Sequence, residues 1–269
     1  MFAEVLLPEE DDGGMLRMSL LEHLEELRAR ILKALYGFLA ILAVCVAASD
    51  RLFEIAMAPG YDAMNRSGIA GAGFIAVGVM EKFQIIWVKT PLVASIFLAS
   101  PWILWQGWAF VSPGLYPREK RWAIPFMLGI ASLFLLGGCF GYFVAFRYGM
   151  TFLLGIGKES HVLPLISIAD YFDRLMDILL GIGIAFELPI LMVFLTLIRI
   201  VSPSFLLRHS NYAILGVVIL AAVITPTQDA FNLVLFAAPM CALFFLGVLL
   251  SYIVERKRNQ QWPFRQRAS

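Results

Sequence analysis

Charged residues are scarce in this chain. They make up 15% of its 269 residues, whereas 60% are hydrophobic and the mean hydropathy is +0.80. A soluble domain of this size needs more polar surface, so the composition predicts an integral membrane protein. The three cysteines all fall inside apolar segments and the three histidines are scattered, so we expect neither disulfides nor a metal site.

Motifs of catalysis are missing as well. Gly157-Lys158 lacks the upstream glycine and the following Ser or Thr of a nucleotide-binding P-loop. The sequence has no H-E-x-x-H zinc motif and no G-x-S-x-G elbow. The apolar segments contain no paired nucleophile and base and no pair of aspartates. We therefore expect a protein that is not an enzyme and needs no cofactor.

Six apolar segments predict an all-α bundle of transmembrane helices. The predicted spans are 31–49, 83–105, 122–146, 174–198, 212–225 and 230–252. The fifth is short and the sixth contains Pro239, so we expect two short C-terminal spans that thin the bilayer or are shielded by partners. One broken hairpin over 212–252 is the alternative, but the turn residues between Thr225 and Asp229 favour two spans.

The distribution of basic residues predicts the orientation. Six spans leave both termini on one side, and 14 of the 21 basic residues fall there, which predicts cytoplasmic termini. Loops 50–82 and 147–173 then lie on the opposite side and are expected to form a cap. Residues 1–18 are predicted to be a disordered tail, 19–257 the membrane domain and 258–269 a second tail.

Residues 19–33 combine charges with a helical apolar repeat. Ser19 and Glu22 have the spacing of a capping box, so a helix is predicted to begin there. One face carries Leu20, Leu24, Leu27, Ile31 and Leu35, and the opposite face carries Glu22, Glu26, Arg30 and Lys33. The segment alone allows two interpretations, a solvated helix face or an acidic patch for a cationic ligand.

Two further carboxylates stand out. Glu187 lies deep in a span, where a charge costs ~2.5–3.5 kcal/mol and normally faces a cavity or a partner. It is either a packing residue or a polar point of a hydrophilic pocket, and Pro189 is expected to kink the helix beside it. Glu119, in the loop SPGLYPREKR, is either an ordinary loop charge or a second carboxylate beside Glu26.

Several motifs together resemble the TatC family, the signal-receptor core of the twin-arginine translocase. They are HLEELRARI (23–31), ASPWILWQGWAFVSPGLYPREKR (99–121), PLISIADYF (164–172), FELP (186–189), ITPTQD (224–229) and AAPM (237–240). Their order and spacing make the combination specific. The resemblance implies six helices in a concave, glove-like arrangement with cytoplasmic termini and periplasmic caps.

The resemblance also implies roles for individual residues. Glu26 and Glu119 match the carboxylates that bind the paired arginines of a signal peptide, and Arg28 matches a basic position that orients this site. Glu187 and Gln106 match polar positions associated with the concave pocket, and Pro101 matches a recurring position of the second helix. Pro59 and Asp229 match positions important to the periplasmic face, and Thr225 is retained at the partner-docking site. Leu233 and Phe245 depart from the family, since many relatives have polar residues there.

The sequence thus predicts a multi-pass protein of the bacterial inner membrane. It would bind Arg-Arg signal peptides of folded precursors and use the proton-motive force. The expected partners are single-span subunits of the TatA/TatB type within an oligomeric complex, together with membrane lipids and not nucleic acid. The alternative is a proton-coupled secondary transporter of small solutes that uses Glu187.

Overall fold

The computed structural model describes residues 20–68, 73–111, 123–156, 165–225 and 229–260. Its long helices form five candidate spans, Leu21–Ala47, Val79–Phe110, Met127–Ile156, Ile168–Leu197 and Ala230–Arg256. A shorter apolar helix, Ser210–Ile224, lies between the last two. The prediction of six membrane helices is therefore confirmed, and the predicted tail 1–18 lies outside the described residues.

The membrane helices are divided into shorter elements. The helices are α1 (Leu20–Ala47), α2 (Ser49–Ser67), α3 (Val79–Gln84), α4 (Thr90–Val111), α5 (Ala123–Phe140), α6 (Arg147–Ile156), α7 (Ile168–Ala185), α8 (Leu188–Leu197), α9 (Pro203–Arg208), α10 (Ser210–Ile224) and α11 (Ala230–Gln260). π-Helical segments, Ile85–Lys89 and Gly141–Phe146, join α3 to α4 and α5 to α6. The strands are β1 (Gly73–Ile75) and β2 (Leu165–Ser167).

The two C-terminal helices differ in length. With 15 residues, α10 is ~22 Å long and falls short of a ~30 Å hydrocarbon core, as predicted. The last helix is longer than the predicted 230–252: α11 has 31 residues and continues through Pro239. Its end, from Glu255 to Gln260, is rich in good helix formers, with Asn259 as the exception, and extends the helix beyond the apolar part. The expectation of two short spans thus holds for α10 alone.

The third span also extends past its predicted end at residue 146, to Ile156. Arg147 begins this extension and forms an ion pair with Asp62 of α2. Because that partner neutralises the charge of Arg147, the helix can continue beside α2 instead of ending at the charged residue.

The segments between spans one and two and between spans three and four form a joint cap. Strands β1 and β2 pair in parallel, with Gly73 opposite Leu165 and Ile75 opposite Ser167. Lys89 and Asp173 add an ion pair between the π-helical segment Ile85–Lys89 and α7. We call the side of the molecule that carries α2 and the two strands the capped face, and the side where α1 begins and α4 ends the terminal face.

One carboxylate fastens the cap. Glu81 Oε1 accepts hydrogen bonds from the Ala169 amide (2.9 Å) and the Ser167 hydroxyl (3.1 Å). Its Oε2 accepts from the amides of Val77 (2.8 Å) and Gly78 (3.3 Å). Glu81 thus satisfies amides at the N-terminal ends of both α3 and α7 and ties the two helices together.

Pro59 interrupts the hydrogen bonding of α2, and two tyrosines repair it. Proline cannot donate to the carbonyl of Ile55, and the hydroxyl of Tyr142 donates to that carbonyl instead (2.5 Å). One residue further, the Tyr171 hydroxyl accepts from the Gly60 amide (3.1 Å) and donates to the carbonyl of Ala56 (2.8 Å). Pro59 is buried in this turn, which fixes α2 to the bundle.

The main core lies directly beneath the cap. Its largest buried side chains include Tyr171, Phe172 and Phe236, with Met57 contributed by α2. Tyr171 makes edge-on contacts with Phe74 and Phe146, at ring distances of 4.9 and 5.1 Å. The cap and the bundle therefore share one core and support each other.

We expect Tyr171→Phe to lower the free energy of unfolding by about 1–2 kcal/mol, because the bridge between Gly60 and Ala56 is lost. Thermal unfolding of the detergent-solubilised protein would measure this. The exposed Tyr148 supplies the matched control, Tyr148→Phe. Equal midpoints for both variants would show that the bridge contributes no stability.

Candidate functional site

The middle of the polar face of α1, at Glu26 and Arg30, packs toward the protein. Leu24, Ile31 and Leu35 are exposed, as suits side chains in contact with lipid. Glu26 and Arg30 lie on the opposite, packed face, with side-chain exposures of 17% and 29%. The predicted division into two faces therefore holds only in part, since Glu22 and Lys33 of the polar face are exposed and Leu27 of the apolar face is half-buried.

Helices α1 and α4 pack closely enough to bury this face. A Cβ on Gly37 would lie 2.2 Å from Trp102 Nε1, so only glycine fits there. The Trp102 indole donates to the carbonyl of Lys33 (2.9 Å). Toward the terminal face, the ring of His23 stacks on Phe110 at 4.4 Å. These contacts fix both ends of the segment that contains Glu26.

Glu26 has one carboxylate oxygen available to a ligand. Its Oε1 accepts from Arg30 Nη2 at 3.3 Å. Its Oε2 is buried and has no hydrogen-bond partner among the described residues. Neighbouring Glu22 and Glu25 are exposed, and so is Arg28. A buried carboxylate oxygen without a donor is costly, which makes Glu26 the carboxylate of this helix best suited to accept a cationic group.

Gln106 lies on α4 one turn after Trp102 and one turn before Phe110, both of which contact α1, so helical spacing places it near that side of α4. Only 3% of the residue is exposed, and its Oε1 is a buried acceptor for which the described part of the chain supplies no donor. A buried polar group thus lies on α4, the helix that packs against the helix of Glu26.

Glu187 lies at a break in the fourth span. Helix α7 ends at Ala185, a turn follows, and α8 begins at Leu188 with Pro189 in its first turn. The expected interruption at Pro189 is present. The Glu187 carbonyl accepts from the amides of Ile190 (3.1 Å) and Leu191 (3.0 Å), so the break leaves the start of α8 bonded.

Glycines bring neighbouring helices close to this break. A Cβ on Gly137 of α5 would lie 2.9 Å from the Cα of Gly183, and one on Gly247 of α11 would lie 2.8 Å from the Cα of Pro189. Glu187 itself is half-buried, and its Oε1 is a buried acceptor without a donor from the parts of the chain that the structure describes. The arrangement holds a carboxyl group rigidly inside the membrane region.

The predicted residues at the α10–α11 turn have local structural partners. The Thr225 hydroxyl donates to the carbonyl of Ala221 (2.6 Å) at the end of α10. Asp229 caps α11: its Oδ1 accepts from the Asn232 amide and its Oδ2 from the Asn232 side chain, both at 2.8 Å. Leu233 packs against the main core, whereas Phe245 is 47% exposed.

The structure brings some predicted residues together and separates others. Glu26 and Gln106 lie on α1 and α4, two helices that pack against each other, whereas Pro59 lies at the capped face. Pro101 lies within α4 and is exposed. Glu119 lies outside the described residues, and so does the side chain of Ser19 in the predicted capping box.

Sequence reasoning missed the residues that position the site. Gly37 and Trp102 set the distance between α1 and α4, and a lone glycine within an apolar helix is a usable signal for close helix packing. Glu81 and Tyr171 form hydrogen bonds with residues 86 or more positions away in the chain. No local sequence pattern predicts contacts of that range.

The fold and the site define a class of protein: a polytopic, all-helical membrane protein with carboxylates held at helix interfaces. Residues 22–239 match the family model described as TatC, Sec-independent protein translocase protein. The chain belongs to the TatC family, whose members are components of a translocase and not enzymes. This finding replaces the alternative of a small-solute transporter.

Individual relatives agree with that assignment. The TatC protein of Koribacter versatilis is 38% identical over 244 residues, covering 91% of this chain and 89% of that protein. The TatC protein of Escherichia coli K12 is 32% identical over 243 residues, covering 90% and 92%. A crystal structure of the twin-arginine translocase receptor TatC superimposes with a TM-score of 0.73, at 32% identity over 87% of this chain and all of that one.

We expect Gly37→Ala to destabilise the protein by about 1–3 kcal/mol, because the new Cβ forces α1 away from Trp102. Gly216→Ala on α10 is the matched control, since a Cβ there meets nothing within 4 Å. Thermal unfolding in detergent measures both. A Gly37→Ala variant as stable as the control would contradict close packing of α1 on α4.

Proposed function

We propose that this protein is the receptor and core subunit of a twin-arginine translocase, binding the Arg-Arg signal peptides of folded precursor proteins. The observation that carries the proposal is the buried Oε2 of Glu26, a carboxylate oxygen near the start of a membrane helix to which no described residue donates. Membership of the TatC family and the likeness to a solved twin-arginine translocase receptor support it.

The chemistry of Glu26 favours arginine over lysine. A guanidinium presents two parallel N–H donors that match a carboxylate, whereas an ammonium offers a point charge without that geometry. Arg30 contacts only Oε1, at a long 3.3 Å, so an incoming arginine can bond Oε2 and compete for Oε1. Glu119 supplies the second carboxylate in this proposal and Arg28 orients the site.

Glu187 and Gln106 serve in this proposal as polar points of the concave surface along which the signal peptide lies. Both offer a buried oxygen acceptor that lacks a donor within the described residues. Pro59 and Asp229 keep the capped face in shape, since Pro59 shapes the turn held by Tyr171 and Asp229 caps α11.

The proposal includes an orientation and partners. The terminal face is cytoplasmic, as the excess of basic residues on that side predicts, and the membrane is the bacterial inner membrane. Single-span subunits of the TatA/TatB type dock near Thr225, where the short α10 leaves the bilayer thin. Farther along α11 the exposed Phe245 offers such partners an apolar contact, whereas Leu233 packs against the main core. The sequence has no P-loop, and we infer that the proton-motive force drives transport.

We expect Glu26→Gln and Glu119→Gln each to weaken binding of an Arg-Arg signal peptide by ~10–100-fold, because each removes one charge-assisted contact. Replacing Arg-Arg by Lys-Lys in the peptide should weaken binding to the wild-type protein by a similar factor. Fluorescence anisotropy of a labelled peptide with the purified full-length protein measures these affinities.

Glu25→Gln is the matched control, because it removes an exposed carboxylate next to Glu26 on the same helix. It should bind the peptide with nearly unchanged affinity, and all variants should unfold at similar temperatures. The proposal fails if Glu26→Gln and Glu119→Gln bind like the control, or if the wild-type protein does not distinguish Arg-Arg from Lys-Lys.

A further inference from the structure

A cavity of about 270 Å³ lies between α6, α7 and α11, away from Glu26. Its depth is mostly apolar and aromatic, formed by the buried side chains of Phe146, Tyr171, Ile178 and Phe236, with Asn232 of α11 as the buried polar member. Ile166 of β2 closes it toward the cap, and Met150 and Leu153 of α6 form one wall. None of these side chains belongs to the proposed arginine-binding site at Glu26.

The mouth of the cavity is charged. Asp170 and Arg174 both line it, are exposed and lie one turn apart on the same side of α7. Arg174 contacts Asp177 at 3.9 Å, with both side chains more than 60% exposed. An exposed ion pair at that distance is weak, so the Arg174 guanidinium can exchange Asp177 for a better acceptor at little cost.

The cavity lies at a membrane boundary. The first turns of α7 carry the charges Asp170, Asp173, Arg174 and Asp177, whereas 178–186 is uncharged and apolar. Ile178 at the bottom of the cavity therefore marks the edge of the hydrocarbon region, and Asp170 lies ~12 Å further out, at the level of lipid headgroups. The cavity is therefore polar at the level of the headgroups and apolar toward the membrane interior. A lipid in the leaflet on the capped side has the same order of polar headgroup and apolar chains.

We propose that this cavity binds one zwitterionic phospholipid with a primary ammonium headgroup, such as phosphatidylethanolamine. The phosphate is bound by Arg174 and the ammonium by Asp170, while the upper part of an acyl chain fills the space lined by Phe146 and Phe236. The opposite charges of Asp170 and Arg174 favour a zwitterionic headgroup, because a purely anionic headgroup would place a negative charge opposite Asp170. Water has few polar partners in the depth, and an acyl chain removes that apolar surface from water.

Occupancy has a structural consequence. Tyr171 forms part of the cavity wall and also bridges Gly60 and Ala56 of the cap. A chain packed against its ring restricts that side chain, so the bound lipid is expected to stabilise the cap. This inference does not depend on signal-peptide binding.

The test uses the full-length protein, delipidated in maltoside detergent. Native mass spectrometry with added phosphatidylethanolamine should show one retained lipid, bound about tenfold more tightly than phosphatidylglycerol. The same lipid should raise the midpoint of thermal unfolding by about 3 °C or more. Equal or tighter retention of phosphatidylglycerol would overturn the headgroup assignment.

Two variants and two controls locate the site. Arg174→Gln removes the phosphate partner and Leu153→Trp fills the cavity, and each should reduce lipid retention about tenfold. Arg51→Gln, an exposed arginine of the same face, and Leu220→Trp on α10 should retain the lipid. If Arg174→Gln retains the lipid as the controls do, the cavity is not its binding site, whatever the folding of Leu153→Trp.

Discussion

The constraint on which this structure depends is that backbone groups that lose their partners within a helix need new partners from elsewhere in the protein. The clearest case is α2, where Pro59 disrupts a turn and the hydroxyls of Tyr142 and Tyr171 supply the missing contacts. Glu81 does the same for amides that begin α3 and α7. Each repair comes from a distant part of the chain, so satisfying the backbone also joins the cap to the bundle.

By contrast, several buried side-chain oxygens lack a donor from the described part of the chain. Within the described residues they include one carboxylate oxygen each of Glu26 and Glu187 and the amide oxygen of Gln106. Hydroxyls of Thr90 and Ser251 and one nitrogen of Arg147 also lack a partner there. The two carboxylates are the strongest acceptors in the set, and a guanidinium or another cationic donor would compensate their burial. Such acceptors suit the proposed binding of arginine-containing peptides.

Much of the architecture was predictable because a hydrophobic run of a given length in a membrane has few structural options. The number of spans, the short α10, the interruption near Glu187 and the location of the cap all follow from runs of apolar residues, turn residues and prolines. Helix ends were less predictable: α11 continues into a charged segment rich in good helix formers, and α6 extends the third span because Asp62 neutralises Arg147. Ion pairs between residues far apart in the chain produce no periodic pattern in the sequence, so this extension could not be predicted from it.

The sequence by itself determined that this is a helical membrane protein, that charges and apolar side chains occupy opposite faces of α1, and that its motifs resemble one family. Only the tertiary structure decided what covers each face. Helical periodicity separates Glu26 from Leu24 but does not say which of them meets protein and which meets lipid. The close contact of Gly37 with Trp102 settled this by packing α4 onto the charged face. Glu26 is partly buried on this packed side, whereas Glu22 and Glu25 are exposed, and the packing involves Trp102, which bonds the Lys33 carbonyl 69 residues away in the chain.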